Sequence, residues 1–481
     1  MKRIPSPPME IFPMRFAFCL IATLIASAPI LAQNTQFRAG AFAMNINPEE
    51  YPISVNGNMR DGQATMASDP LHARCIVLDD GINKLAIVVC DSCMIPREIF
   101  DAAKKAASAK TGIPAMNMLC SATHTHTAPT SAGVFQSDPV RSYQIFLEKK
   151  IAEGIIEAHN RLQPAKIGFT SENNDKCLFN RRWLIKDGSF NTDPFGNTTD
   201  RVIMNPGYRN PRVDRQAGTV DPQVSIVSIV SKENKPIALL ANYGLHYVGG
   251  APALSADYFG AYADRMKELL NADKSFVAIM SNGTSGDVNN VDFANPAPGK
   301  REPYEQIRFV ANSVAQTTMK ALEKIKYQDH ASLAAWQKEI DLGVRKPSSK
   351  ELDRAREILA KAKSPVLQTS QEIYSRESVL LADYPEKVSV ILQALRIGDI
   401  GICAIPCEVF TEIGLELKKK SPIKHTFTIE LANGYNGYLP TPKQHELGGY
   451  ETWRARSSYL EATASEKIIP VLLDCLNKVS K

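Results

Sequence analysis

The chain has 481 residues, 44% of them hydrophobic and 22% charged, the balance of a globular protein rather than a disordered one, and it is long enough for one large or two ordinary domains. Its formal net charge is only +5. Lysines and arginines are scattered except for Lys418-Lys419-Lys420, a run that suits a helix C-terminus, so a nucleic-acid partner is not indicated.

In chain order, the first feature is an export signal. Lys2, Arg3 and Arg15 precede an apolar stretch from Phe16 to Ile25, and small residues follow up to Ala32, the pattern of a cleaved leader. Pro29 disfavours cleavage after Ala28, so the expected signal peptide is 1–32 and the expected mature chain starts near Gln33, as one domain over 33–481. The apolar core falls short of the ~20 residues that a membrane helix needs, and no later stretch supplies a span. The expected location is therefore periplasmic or extracellular. Eight cysteines follow the leader, at 75, 90, 93, 120, 177, 403, 407 and 475. Four disulfides are open to them, but most sit in apolar strand-like runs, where a buried thiol is the commoner state.

A strand is expected from Phe37 to Ile46. Ala73–Leu78 and Lys84–Val89 flank Asp79-Asp80-Gly81, a strong hairpin signal. Helical patterns follow at Arg97–Ala109 and Tyr143–Leu162, strands at Val224–Val230, Ile237–Ala241 and Val277–Met280, and a helix at Tyr304–Ile325. Residues 347–385 read as a helical excursion on the surface. Strands resume at Val388–Leu395 and Ile400–Ala404, with helices at Glu412–Lys420 and Tyr459–Val479. Hairpins and crossovers together predict an α/β fold, a mixed β-sheet layered with helices. Strands from both ends of the chain are expected to share one sheet.

Ser121-Ala122-Thr123-His124-Thr125-His126-Thr127-Ala128-Pro129 places two of the eight histidines two residues apart behind the apolar run Met116–Cys120. In a strand, i and i+2 share a face, so His124 and His126 are expected side by side at its end, where imidazoles can hold a metal. Four further segments have the look of loops leaving strands: Asn242–His246, Ser281–Asn290, Ala404–Glu408 and Asn433–Pro442. A metal site at these strand-end loops is how an α/β sheet presents chemistry.

Thr123-His124-Thr125-His126, Asn180-Arg181, Leu245-His246, Gly286-Asp287-Val288, Pro406-Cys407-Glu408 and the stretch Asn433–Tyr450, with Tyr438 and Tyr450 twelve apart, fall in a particular order. From about Phe37 onward, that order resembles the neutral (non-lysosomal) ceramidase family. The resemblance implies a zinc ion held by His124, His246, Glu408 and Tyr438, with His126, Arg181 and Tyr450 as hydrogen-bond donors near a substrate carbonyl. Such a donor set suits Zn2+ and leaves room for a water, which the metal would acidify.

The departures from that family bear on the substrate. Asn289 stands where ceramidases carry a serine after Gly-Asp-Val, Cys407 replaces a glycine between proline and glutamate, and the family's immunoglobulin-like C-terminal domain has no counterpart in the matching region. The expected activity is that of a secreted zinc-dependent hydrolase acting on an amide (N-acyl) bond, ceramide or another small-molecule or lipid-like substrate, with no nucleic acid. The alternatives are an ester-cleaving metallohydrolase and a binding protein that keeps the pocket without turnover. A (β/α)8 barrel built on His-x-His fits poorly, because its repeated units leave no place for the hairpins.

Overall fold

The computed structural model describes residues 1–11 and 36–481. It divides into Met1–Asn34 and Thr35–Lys481. In the first unit, residues 1–11 are exposed and have no regular structure, while the apolar stretch Phe16–Ile25 and the junction after Ala32 lie outside the described residues. Among the described residues, no helix is long and apolar enough to cross a membrane.

In the second unit, eight strands build the larger sheet: β1 (Arg38–Asn45), β2 (His72–Asp79), β3 (Lys84–Cys90), β4 (Met118–Ala122), β5 (Gln163–Asn173), β6 (Gln223–Ser231), β7 (Pro236–Tyr243) and β8 (Val277–Asn282). Their order is β8-β7-β6-β5-β1-β2-β3-β4. The inner pairs are antiparallel, and the marginal pairs β7·β8 and β3·β4 are parallel. A second sheet takes β9 (Leu333–Gly343), β10 (Lys387–Ile397), β11 (Ile400–Ala404) and β12 (His425–Ile429) in that order. The strands from the two ends of the chain thus form two sheets, not the expected one.

Residue alternation explains the layering. In β2, Ala73, Cys75 and Val77 face one core, which they share with α1 (Arg97–Thr111) and α2 (Arg141–Asn160). Ile76 and Leu78 face the other, together with Leu395, Ile402 and Phe427 of the second sheet. Both faces of these strands are buried, which is why they read as continuous apolar runs rather than alternating ones. Helices α3 (Asp257–Leu269) and α4 (Glu305–Leu322) cover the remainder of the larger sheet. On the far side, α7 (Thr411–Lys420) and α8 (Ala464–Ser480) cover the second sheet. The result is helices, sheet, sheet and helices in four layers, a mixed α/β fold.

The 347–385 excursion is two helices, α5 (Ser349–Ala360) and α6 (Ser370–Ala382), each opened by a capping box, Ser348 with Glu351 and Thr369 with Glu372. Only α5 is the expected surface helix. α6 buries Ile373 and Tyr374 in a cluster with Val134 and Phe135, against which Trp453 packs. α8 starts later than its periodicity suggested, because Leu460 pairs with Val344 in an isolated bridge and holds the chain extended there.

β4 and β8 are opposite margins of the larger sheet, yet their ends meet. The chain leaving β12 runs between them: the Glu430 N–H donates to Asn282 O (3.2 Å), Ala122 N–H to Leu431 O (3.2 Å) and Asn433 N–H to Cys120 O (2.6 Å). This segment joins the two margins and brings their loops to one place.

Candidate metal centre

β4 ends at Ala122, so His124 and His126 lie beyond it and are not aligned by strand alternation as expected. Instead His124 takes a left-handed backbone, φ 74°, uncommon for a side chain with a Cβ. Its N–H donates to Ser92 O (2.9 Å). The turn directs the ring inward, and His124 is 1% exposed.

His246 follows β7 and is also 1% exposed. Its Nδ1 lies 3.2 Å from Ser285 O, as the Nδ1 of His124 lies 2.8 Å from Cys93 O. A carbonyl oxygen only accepts, so both Nδ1 atoms carry their protons. The two Nε2 atoms then face each other at 3.1 Å. Two lone pairs at that distance repel, so a proton or a metal ion belongs between them.

Glu408 lies beside them, 2% exposed. Its Oε2 is 3.2 Å from His124 Nε2, and this buried oxygen has no hydrogen-bond partner of good geometry. Its Oε1 accepts from the Tyr435 hydroxyl (3.0 Å). Glu408 pairs with Tyr438 in a two-residue parallel bridge, which sets Tyr438 next to it. Gly286 permits this packing, since a Cβ there would lie 2.6 Å from Glu408 O. His124, His246 and Glu408 each offer a ligand atom within 4.8 Å of the others, and Cys93, His124 and His126 form an overlapping group. An orphaned buried carboxylate oxygen beside two opposed imidazole nitrogens is a donor set that fits a divalent metal such as zinc.

Charges sort the imidazoles. Burial lowers His124, but the Glu408 carboxylate and then Cys93 raise it well above the ordinary imidazole value. Burial, followed by the neighbouring positive groups, pushes His126 and His246 well below that value. Burial raises Glu408, yet His124 first, then Tyr438 and the Arg181 charge, together outweigh it, and the carboxyl falls below its usual range.

The remaining residues taken from the sequence gather around this group. His126 Nε2 is 3.1 Å from His124 Nε2, and its ring stacks on Tyr247 at 3.6 Å between centroids. Arg181 is buried, with Nη2 donating to the Tyr438 hydroxyl (3.0 Å) and to Gly286 O (2.8 Å). Tyr450 meets Tyr438 edge to face at 5.9 Å. Asp287 accepts from Thr411 at the start of α7 and from Asn180, so it holds loops together. The Ser285 hydroxyl is fully buried and donates to Glu430. Asn289 donates its amide to Asn205. All eight cysteines from Cys75 onward are free and buried.

Sequence reasoning missed two carboxylates. Glu451, 0% exposed, receives Arg181 Nε (3.0 Å) on one oxygen and Arg182 Nη1 (2.6 Å) on the other. The adjacent cations Arg181-Arg182 were its signal, since buried cations need a counter-ion. Glu430, also 0% exposed, is the lone acid in the apolar run from His425 to Leu431. Burial raises it to about 8.

The fold and site together define a mixed α/β protein with a buried His/His/Glu centre able to hold a metal. No protein-family model and no curated protein matches the sequence. Among solved structures, neutral ceramidase from Pseudomonas aeruginosa superposes with a TM-score of 0.69 over 93% of this chain and 74% of that one, at 15% identity. A ceramidase complexed with C2 gives a TM-score of 0.68 over 93% of this chain and 75% of that one, at 16% identity. The chain has the neutral ceramidase fold.

Proposed function

We propose that this protein is an exported zinc-dependent hydrolase that cleaves a linear amide bond in an N-acyl, lipid-like or small-molecule substrate. The observation that carries the reading is the pair of opposed Nε2 atoms, 3.1 Å apart, beside the orphaned Glu408 Oε2. His124, His246, Glu408 and Tyr438 would hold the metal. When bound, zinc supplies an acidified water and a Lewis acid for the carbonyl.

The chain's own groups do the rest. Arg181 is oriented by Glu451 and Gly286 O, and its guanidinium presents positive charge beside Tyr438, where an oxygen gaining charge from the carbonyl would be stabilised. His126 and Tyr450 supply further polar atoms at the edge of the centre, and Tyr247 orders the His126 ring by stacking. Water adds to the carbonyl carbon, the C–N bond breaks, and the departing nitrogen takes a proton. Attack falls to water because the Ser285 hydroxyl is committed to Glu430 and Asn289 stands where the resembled family has a serine.

The test is turnover of a panel of N-acyl amides and esters, with chelator added and zinc restored. Activity that is amide-selective, lost with chelator and regained with zinc supports the reading. Ester-only turnover moves the assignment to an esterase. Zinc binding without any turnover makes the protein a binder. An acyl group trapped on Ser285 or Thr284 would replace direct attack by water with covalent catalysis.

A further inference from the structure

We propose that Glu430 is a positioning residue that sets the metal affinity of the centre by locking the loop behind His246 onto the strand of Glu408. The inference rests on the reading that His246 and Glu408 hold a metal.

Glu430 stands just past the end of β12, between the two margins of the larger sheet, and hydrogen-bonds to neither imidazole. Its Oε1 accepts from the Ser285 hydroxyl (2.5 Å), and its Oε2 accepts from two backbone N–H groups, Ser285 (3.2 Å) and Val409 (2.7 Å). Ser285 is the residue whose carbonyl takes the Nδ1 proton of His246, and Val409 directly follows Glu408. One side chain therefore spans the supports of two ligand residues that lie more than 150 positions apart in the chain. The Gly286 N–H adds a bond to Val409 O (2.8 Å), so the loop and the strand are tied twice, once by backbone and once by this carboxylate.

The arrangement has a chemical consequence. The hydrogen bond from His246 Nδ1 fixes the tautomer and the ring plane, and thereby the direction of the Nε2 lone pair. If the loop drifts from the strand, that lone pair and Glu408 Oε2 no longer converge. A buried acid costs free energy unless its oxygens are satisfied, and three donors satisfy this one.

The contacts also rank substitutions. Glu430→Gln keeps an acceptor for the two backbone N–H groups and can donate its amide to the Ser285 hydroxyl oxygen. Glu430→Asp keeps the carboxyl group but withdraws it by a methylene. Glu430→Ala removes the tie. Reach and hydrogen-bonding geometry thus predict that Gln is the tolerated change.

The experiment measures Zn2+ affinity of the full chain by competition with a chromophoric chelator, with folding checked by circular dichroism. Folded Glu430→Ala and Glu430→Asp should bind zinc ~10–100-fold more weakly than the parent, the usual cost of losing a partner behind a ligand, and Glu430→Gln should stay within several-fold of it. If Glu430→Ala does not fold, Glu430→Asp carries the test. Affinities of both that match the parent, with only thermal stability lowered, would overturn the proposal and leave Glu430 a structural residue. His246→Ala separates the two claims: if the parent and this variant bind zinc alike, the ligand assignment itself fails, whatever Glu430 does.

Discussion

Metal binding should release a proton from His124, and the geometry sets how many. Without metal His124 should hold two protons, on Nδ1 toward Cys93 O and on Nε2 toward His246, because the Glu408 carboxylate and Cys93 together outweigh burial and raise it well above 6.5. His246 is lowered and neutral, and Glu408 is lowered and ionised. Only His124 must lose a proton to become a ligand, as ligation requires neutral imidazole. Between about pH 5.5 and 6.5, at or below the ordinary imidazole value, zinc affinity should rise about tenfold per pH unit, or ~1.4 kcal/mol. Calorimetry in buffers of different ionisation enthalpy should count about one proton released per zinc. If the Tyr438 phenol ligates as phenolate, the count becomes about two, which makes the assay a test of the fourth ligand. Without metal the sign reverses: a raised His124 stabilises the fold below about pH 6.5, and the gain is lost as pH rises through the elevated value. Affinity independent of pH across that window, with no proton released, would refute the assignment.

Folded His246→Ala and Glu408→Gln should each lose bound zinc by elemental analysis, since each removes a converging ligand atom. Arg181→Ala should keep its metal and lose turnover by roughly 100-fold or more, as for one oxyanion donor; steady-state kinetics beside metal content separates the two effects. N-terminal sequencing of exported protein should begin near Gln33, and an intact Met1 terminus in membranes would replace the cleaved leader with an anchor.

Much of this protein is legible in its chain because local rules suffice. The short Asp80–Asn83 turn between Ala73–Leu78 and Lys84–Val89 specifies its hairpin whatever the surroundings, and the capping boxes at Ser348 and Thr369 open their helices by bonds three residues long. The loops that carry chemistry were also visible, as polar and glycine-rich segments ending apolar runs. What the sequence could not determine was which margins meet. β4 and β8 are seven strands apart in the order of one sheet, and they converge only because the chain leaving β12 bonds to both. For the same reason Glu430 and Glu451 look like ordinary acids in sequence. Their partners lie 145 and 270 residues away, and only burial in a shared, water-poor space turns a carboxylate into an obligatory counter-ion or an anchor for another residue's loop. Local propensity determines the elements; which polar groups must satisfy one another is decided when the layers close and water is gone.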